Sequence, residues 1–281
     1  MLELPLALGG WLLLSGGKRS GEYSSLETQR FPPPVHFPDD PYIPGFNFSS
    51  LVRHAANAVA YDFALRAAKD PVFFAPALPV SFYCFDPPSN GCGATHLLHA
   101  MAKETRLRQP RSTLVSAPRL EANLMRCRQI GQRRRVRVFY ENVEALFIDD
   151  IDFLSGKEWV QAELADIVQA LLARRRNVAF TFANPLGEMQ WCSEVLQSAT
   201  LSGASVPIGR PDLAGRREIL RRKANEWSEG VPDEVIAHLA ERDYPNVREL
   251  EGMLRRVLAH AGFFGVPVTI ELVRSVVTLW S

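Results

Sequence analysis

Two short stretches of the chain carry residue types that could do chemistry. The first, "DPPSNGCGATHLLHAM" at 86–101, sets Gly91 and Gly93 just ahead of Thr95. Glycines in such a loop let backbone N–H groups face an anion at a helix N-terminus with no Cβ in the way. The spacing G-x-x-x-x-G-K-[ST] puts a glycine at 88 and a lysine at 94. The chain has Pro88 and Ala94 instead. Without the lysine, the β- and γ-phosphates lose a charge-assisted contact worth roughly 1.5–3 kcal/mol. Weak anion binding survives that loss, but efficient phosphoryl transfer does not. The second stretch, "ALFIDDID", is an apolar run ending in paired carboxylates. In that layout Asp149 holds Mg²⁺ and Asp150 polarises an attacking water. Each stretch has a plain structural alternative, a Gly-x-Gly turn opening a helix and a strand ending in a polar turn. Together, in this order, they point to the ancestry of a nucleotide site.

The elements that must position these residues follow from periodicity. "VSFYCF" predicts a strand ahead of the glycine loop, and "THLLHAMAKETR" an amphipathic helix after it, the context a phosphate loop requires. "STLVSA", "VEALFIDDIDFL" and "NVAFTFANP" predict further strands; "LEANLMRCRQIGQ" and "EWVQAELADIVQALLARR" predict helices. Strands alternating with helices imply an α/β parallel sheet wrapped by helices. Ahead of them, a helix is expected from Asn47 or Ser50 to about Lys69, stopped by Pro71. After Pro211 the pattern is helical throughout, which predicts a small all-α bundle. The expected organisation is a tail and Pro-rich linker over 1–45, an α/β base over 46–210 and a helical domain over 211–281.

Bulk properties narrow the function classes. A chain of 281 residues with 47% hydrophobic content can bury a sizeable core. Its 32 basic and 31 acidic residues leave a formal charge of +1, so no overall field draws it to nucleic acid or anionic lipid. The run "RCRQIGQRRRVR" is a local exception. Cys84, Cys92, Cys127 and Cys192 form no C-x-x-C pair, so four free thiols in a reducing cytoplasm are expected. The apolar opening "MLELPLALGGWLLLSGG" carries Glu3 and no Lys or Arg before the run, and it is too short to span a bilayer. Export and membrane insertion are therefore not expected.

At this point the residues support a resemblance. The chain resembles the AAA+ region of the bacterial replication initiator DnaA and its shorter relative Hda, from about Phe46 to Ser281. The matching segments are "FNFSSLVRHAANAVAYDFAL", "GATHLLHAM", "LFIDDIDFLSGKE" and, for the lid-helix arginine motif, "NVRELEGML". The resemblance implies a P-loop AAA+ sheet followed by a helical lid. It implies Thr95 and Asp149 as Mg²⁺ positions, Asp150 as the water-orienting acid, Asn184 as neighbour of the γ-phosphate sensor and Arg248 as the lid arginine on ATP or ADP. The departures fall at costly places: Ala94 for the lysine, Ala199 for the arginine finger, and Ala183 for a polar sensor. They imply impaired or absent ATP hydrolysis.

Three functional readings follow. The first is a regulatory DnaA-like or Hda-like module acting on replication initiation through contact with the initiator DnaA, the sliding clamp or both. The tail residues Leu2, Leu4, Pro5 and Leu6 resemble Hda's clamp-docking peptide, with Met1 where the leading glutamine would be. The second is a working ATP-binding switch of the same family. The third is a single-stranded DNA adaptor or helicase-loader relative, with Arg133, Arg134, Arg135 and Arg137 as candidate DNA contacts. The resemblance implies no sequence-specific duplex-DNA domain.

Overall fold

The computed structural model describes residues 37, 40–70, 79–84, 91–183, 188–227 and 230–280. The tail expectations at Leu2, Leu4, Pro5 and Leu6 and the sensor neighbour Asn184 lie outside them. Five strands form one parallel sheet: β1 (Val80–Cys84), β2 (Thr113–Ser116), β3 (Ala145–Asp149), β4 (Asn177–Phe182) and β5 (Ala204–Ile208). Their order is β2-β3-β4-β1-β5, with Val80 opposite both Ala179 and Ala204. Helices α1 (Ala58–Lys69), α2 (Ala94–Arg106), α3 (Ala117–Gln129), α4 (Arg133–Glu141), α5 (Glu158–Ala173) and α6 (Glu194–Ser202) connect and cover it. Then come α7 (Leu213–Trp227), α8 (Asp233–Glu241), α9 (Val247–Phe264) and α10 (Ile270–Trp280).

β3 and β4 are buried along their whole length, as expected of strands covered on both faces, which is why they read as continuous apolar runs. They put the C-terminal end of β3, with Asp149, at the same end of the sheet as β1 and the glycine loop that follows it, with β4 between the two strands. That end of a parallel sheet is where ligands bind in open α/β folds. β5 was not legible in the sequence: it alternates in burial and carries Pro207, which only an edge strand tolerates. α4 hid inside the arginine run, although Val136 and Tyr140, spaced i,i+4, are its buried face.

Two further expectations are corrected. α1 begins at Ala58, not at Asn47 or Ser50. Those two residues bond instead within a turn, the Ser50 backbone N–H donating to Asn47 Oδ1 at 2.9 Å, the local alternative that Asn offers to a helix. The four cysteines are not all free thiols. Cys84 and Cys92 form a disulfide, their Cα atoms 6.3 Å apart, and both sulfurs belong to the core under α2. Residue types and spacing could not show this, because the two cysteines meet only when β1 and the glycine loop fold back on each other.

The core splits in two. One part packs α1 and α2 on the sheet around Phe82, Leu97, Leu98 and Phe147. The other is formed by α7 to α10 around Leu220, Leu239, Leu254 and Val273, with Val52 reaching in from the segment before α1. None of the described helices is long and apolar enough to cross a membrane.

Candidate functional site at the glycine loop and the lid cleft

Gly91 and Gly93 both have positive φ, +95° and +102°, a backbone that residues with a Cβ rarely adopt. Gly93 is the left-handed N-cap of α2, so Ala94 opens the helix and Thr95 follows on its first turn. The unpaired N–H groups of that turn face a cleft of about 430 Å³ between the sheet and the helices beyond Pro211. Ala94, Thr95, Asp150, Ala183 and Arg248 line it. The structure thus gathers residues that the sequence scattered over half the chain.

Ala94 is 8% exposed and offers the cleft only a methyl group. Among the described residues, no uncommitted lysine takes the missing one's place. Lys103 lies farther along α2 and donates to the Ile43 carbonyl at 2.7 Å. Arg222 and Lys223 of α7 line the cleft and were not singled out in the sequence, where they sit in an ordinary charged helix. Both are committed: Arg222 to Glu218 and the Ser49 carbonyl, Lys223 to Glu226. Arg248 makes no ion pair within 4 Å among the described residues, and neither Glu241 nor Glu251 pairs with it.

The carboxylates stand at the end of β3. Thr181 Oγ donates to Asp149 Oδ1 at 2.5 Å, and the Thr95 hydroxyl lies near enough to favour the ionised carboxylate. Burial and the nearby Asp150 nevertheless raise the Asp149 pKa to about 6. Thr181 also accepts from the Asp150 N–H at 2.8 Å, and Asp150 itself adopts a left-handed backbone, φ +55°. Such strain in a residue with a Cβ persists only where its surroundings fix it. Asp150 precedes a 3-10 turn over Ile151–Leu154 and makes no capping hydrogen bond to it with its side chain. Thr181 was missed in the sequence; its one signal is a hydroxyl inside the apolar run "NVAFTF".

Thr95 and Asp149, near each other, fit the hydroxyl and carboxylate that hold Mg²⁺ beside a phosphate loop. The described residues bring no group of three His, Cys, Asp or Glu together that would hold a metal unaided. Any Mg²⁺ here therefore depends on phosphate oxygens, and the loop lacks the lysine that would anchor those. The site keeps Thr95 and Asp149 and lacks the lysine of a catalytic ATP–Mg²⁺ complex.

The first turn of α9 sits directly on the loop. Asn246 caps it by accepting from Glu249 N–H at 2.8 Å, and the Val247 N–H donates to the Gly91 carbonyl at 3.2 Å. A Cβ on Gly91 would lie 2.9 Å from Arg248 Cβ. Gly91→Ala is thus strained both in backbone and in space, and is expected to cost about 1–3 kcal/mol. Urea denaturation beside the wild type checks it.

Two histidines lie on α2, and His96 lines the cleft. His96 stacks on Phe46 with ring centroids 4.3 Å apart and meets Ser50 Oγ at 3.0 Å; His99 is 5% exposed. Burial lowers both pKa values to about 4. Unfolding frees them to take protons below their ordinary value of about 6.5, so stability falls as pH drops from about 6.5 to about 4. His96→Gln with His99→Gln is expected to flatten that loss in chemical denaturation at pH 7 and pH 5.

Of the remaining candidates, Ala183 lines the cleft, and Ala199 and the α4 arginines do not. Ala199 is half-buried on α6. Ala183 contributes only its N–H, which donates to Asp152 Oδ1 at 3.3 Å. On α4, Arg133 pairs with the buried Glu163, and Arg137 with Glu141 and with Asp166 at 3.0 Å. Arg134 is exposed and makes no ion pair among the described residues.

A parallel β2-β3-β4-β1-β5 sheet with a glycine loop after β1, acids at the end of β3 and a helical segment closing over the loop defines a P-loop AAA+ module. The sequence profile of the bacterial DnaA ATPase domain matches residues 43–206, so the chain belongs to the bacterial DnaA ATPase-domain family. The chromosomal replication initiator protein DnaA of Chloroflexus aurantiacus is 34% identical over 230 residues, which are 81% of this chain and 47% of that protein. The chain thus spans about half the length of this curated relative. The crystal structure of domain III of Thermotoga maritima DnaA superposes with a TM-score of 0.77 at 26% identity, covering 85% of this chain and 98% of that one. A replication initiator DnaA bound to AMPPCP and single-stranded DNA superposes with a TM-score of 0.67 at 27% identity, covering 76% and 65%.

Proposed function

We propose that the chain is a DnaA-family AAA+ module acting in the initiation of bacterial DNA replication, or in its regulation, through protein contacts and without hydrolysing ATP. The observation that carries this is Ala94. It opens α2 directly after the left-handed Gly91 and Gly93, with no uncommitted lysine among the described residues that line the cleft. Alanines at 183 and 199 agree with it, because each replaces a polar group that the family's pattern sets around the γ-phosphate. Residues 46–210 serve as the base and 211–281 as the lid, in the cytoplasm. Any ATP, ADP or Mg²⁺ contact at Gly91, Gly93, Thr95, Asn184, Arg248 and the carboxylates is vestigial. The natural partners on this reading are the initiator DnaA and the sliding clamp, the latter through the Leu2–Leu6 tail.

The test is association of the full chain with purified DnaA, and with the clamp, each with and without Mg-ATP. Binding to at least one partner, unchanged by nucleotide, is the expected result. Absence of binding to both, or strict dependence on ATP, would overturn the proposal.

A second reading has one observation in its favour. Arg134 is exposed and makes no ion pair among the described residues, on a short helix rich in arginine, and one structurally similar protein is a DnaA bound to AMPPCP and single-stranded DNA. Changing Arg133, Arg134 and Arg135 together to alanine is expected to weaken single-stranded DNA binding several-fold at fixed low salt, on the order of the loss of one to three phosphate contacts. Unchanged affinity would remove that reading.

A further inference from the structure

The disulfide sits where a covalent bond can act on the cleft. Cys92 lies between the two left-handed glycines of the loop, and Cys84 is the last residue of β1. Bonding them folds the loop back on the strand that precedes it. Both cysteines line the cleft, and both belong to the core on which α2 packs. One residue before Cys92, the Gly91 carbonyl accepts the Val247 N–H at 3.2 Å. Val247 is the first residue of α9, so that N–H is one of the helix-start donors that no residue within the helix can satisfy. The docked lid helix therefore takes part of its N-terminal satisfaction from a carbonyl whose position the disulfide fixes. The close approach of Gly91 to Arg248 depends on the same placement.

A phosphate loop is ordinarily held in shape by the anion it wraps and by its lysine. This loop has lost the lysine, and a covalent tie holds the shape in its place. From these contacts we infer that Cys84 and Cys92 form a reversible redox site: oxidised, the pair holds the loop for docking of α9; reduced, it releases both. In a reducing compartment, disulfides of this kind are transient and serve as sensors. The co-reactant is a dithiol. Its thiolate attacks Cys92 Sγ, since Cys92 is 6% exposed and Cys84 1%. Cys84 Sγ leaves with the bonding pair and takes a proton. The second thiol of the reductant then displaces Cys92 Sγ, which is protonated in turn. Two electrons and two protons pass to the protein, and the reductant ends as its own cyclic disulfide.

The inference rests on taking Gly91–Thr95 as a relic phosphate loop beneath a lid, and its test keeps the two apart by omitting nucleotide. The first readout is alkylation of the denatured, unreduced full chain. Of its four cysteines, only Cys127 and Cys192 are expected to react. The second is amide hydrogen exchange before and after dithiothreitol. Reduction is expected to speed exchange at Gly93–Thr95 and at Val247 by at least about tenfold, with the amides of β3 unchanged. A Cys84→Ser, Cys92→Ser variant should match the reduced protein and ignore dithiothreitol. Should that variant not fold, the wild-type comparison alone decides. Alkylation of all four cysteines, or equal exchange at Val247 in both states, would overturn the switch and leave the account of Ala94 standing. Tight ATP binding by the wild type would do the reverse.

Discussion

Ala94→Lys is expected to raise the affinity of the chain for Mg-ATP by about 10- to 100-fold, because a charge-assisted contact of roughly 1.5–3 kcal/mol returns to the phosphates. Three observations support the size of the gain. Ala94 lines the cleft at the first position of α2, where the lysine of a phosphate loop stands. The loop glycines already hold their left-handed backbone. Thr95 and Asp149 already lie near each other, as the donors of a Mg²⁺ site would. Isothermal calorimetry of wild type and variant checks it, with Ala94→Leu as a control that adds bulk but no charge. Equal affinities for wild type and lysine variant would mean that the loop is closed to phosphate for another reason, and the disulfide and the docked α9 would be the first places to look.

The second large effect concerns stability. The folded state holds the Asp149 pKa at about 6, above its ordinary value near 3.8, chiefly through burial. Between those values the folded chain binds more protons at this group than the unfolded one does. The contribution of Asp149 to stability is therefore greatest below about pH 4, falls as pH rises to about 6, and stays low above that. Charged Asp149 thus costs the fold on the order of 1–3 kcal/mol at pH 7. Asp149→Asn keeps the shape and an acceptor for Thr181, and is expected to stabilise the chain by about that amount at pH 7, with almost no gain at pH 4. Urea denaturation at the two pH values measures it. A destabilised Asp149→Asn at pH 7 would show that the two threonine hydroxyls outweigh desolvation. His96 and His99 act in the opposite direction over the overlapping window, so the difference between variant and wild type is the informative quantity.

A carboxylate that destabilises its own fold is characteristic of a site shaped for a ligand, since the ligand's cation is what makes the charge worth burying. Here the acids and the threonine persist while the loop's lysine does not. This is the asymmetry expected when the scaffold of a nucleotide site is retained for its shape and contacts.

Much of this was legible in the sequence because it is local. The buried runs of β3 and β4, the glycines before α2 and the acids ending β3 each carry a pattern within a few residues. What stayed hidden depends on residues meeting across the fold. Thr181 joins Asp149 only because β3 and β4 are neighbours in register. The Cys84–Cys92 bond needs the loop to turn back on β1. Arg222 and Lys223 reach the cleft only once α7 lies over it. α4 and β5 were obscured by composition, the one by its arginines and the other by Pro207 at the sheet edge.

The measurement that bears most directly on the central claim is phosphate release from Mg-ATP by the natural chain, alone and with DnaA present, beside an Asp150→Asn variant. The expected result is release from the natural chain no greater than from the variant. Release that the natural chain sustains and the Asp150→Asn variant loses would contradict it, and would place a working ATPase behind Ala94.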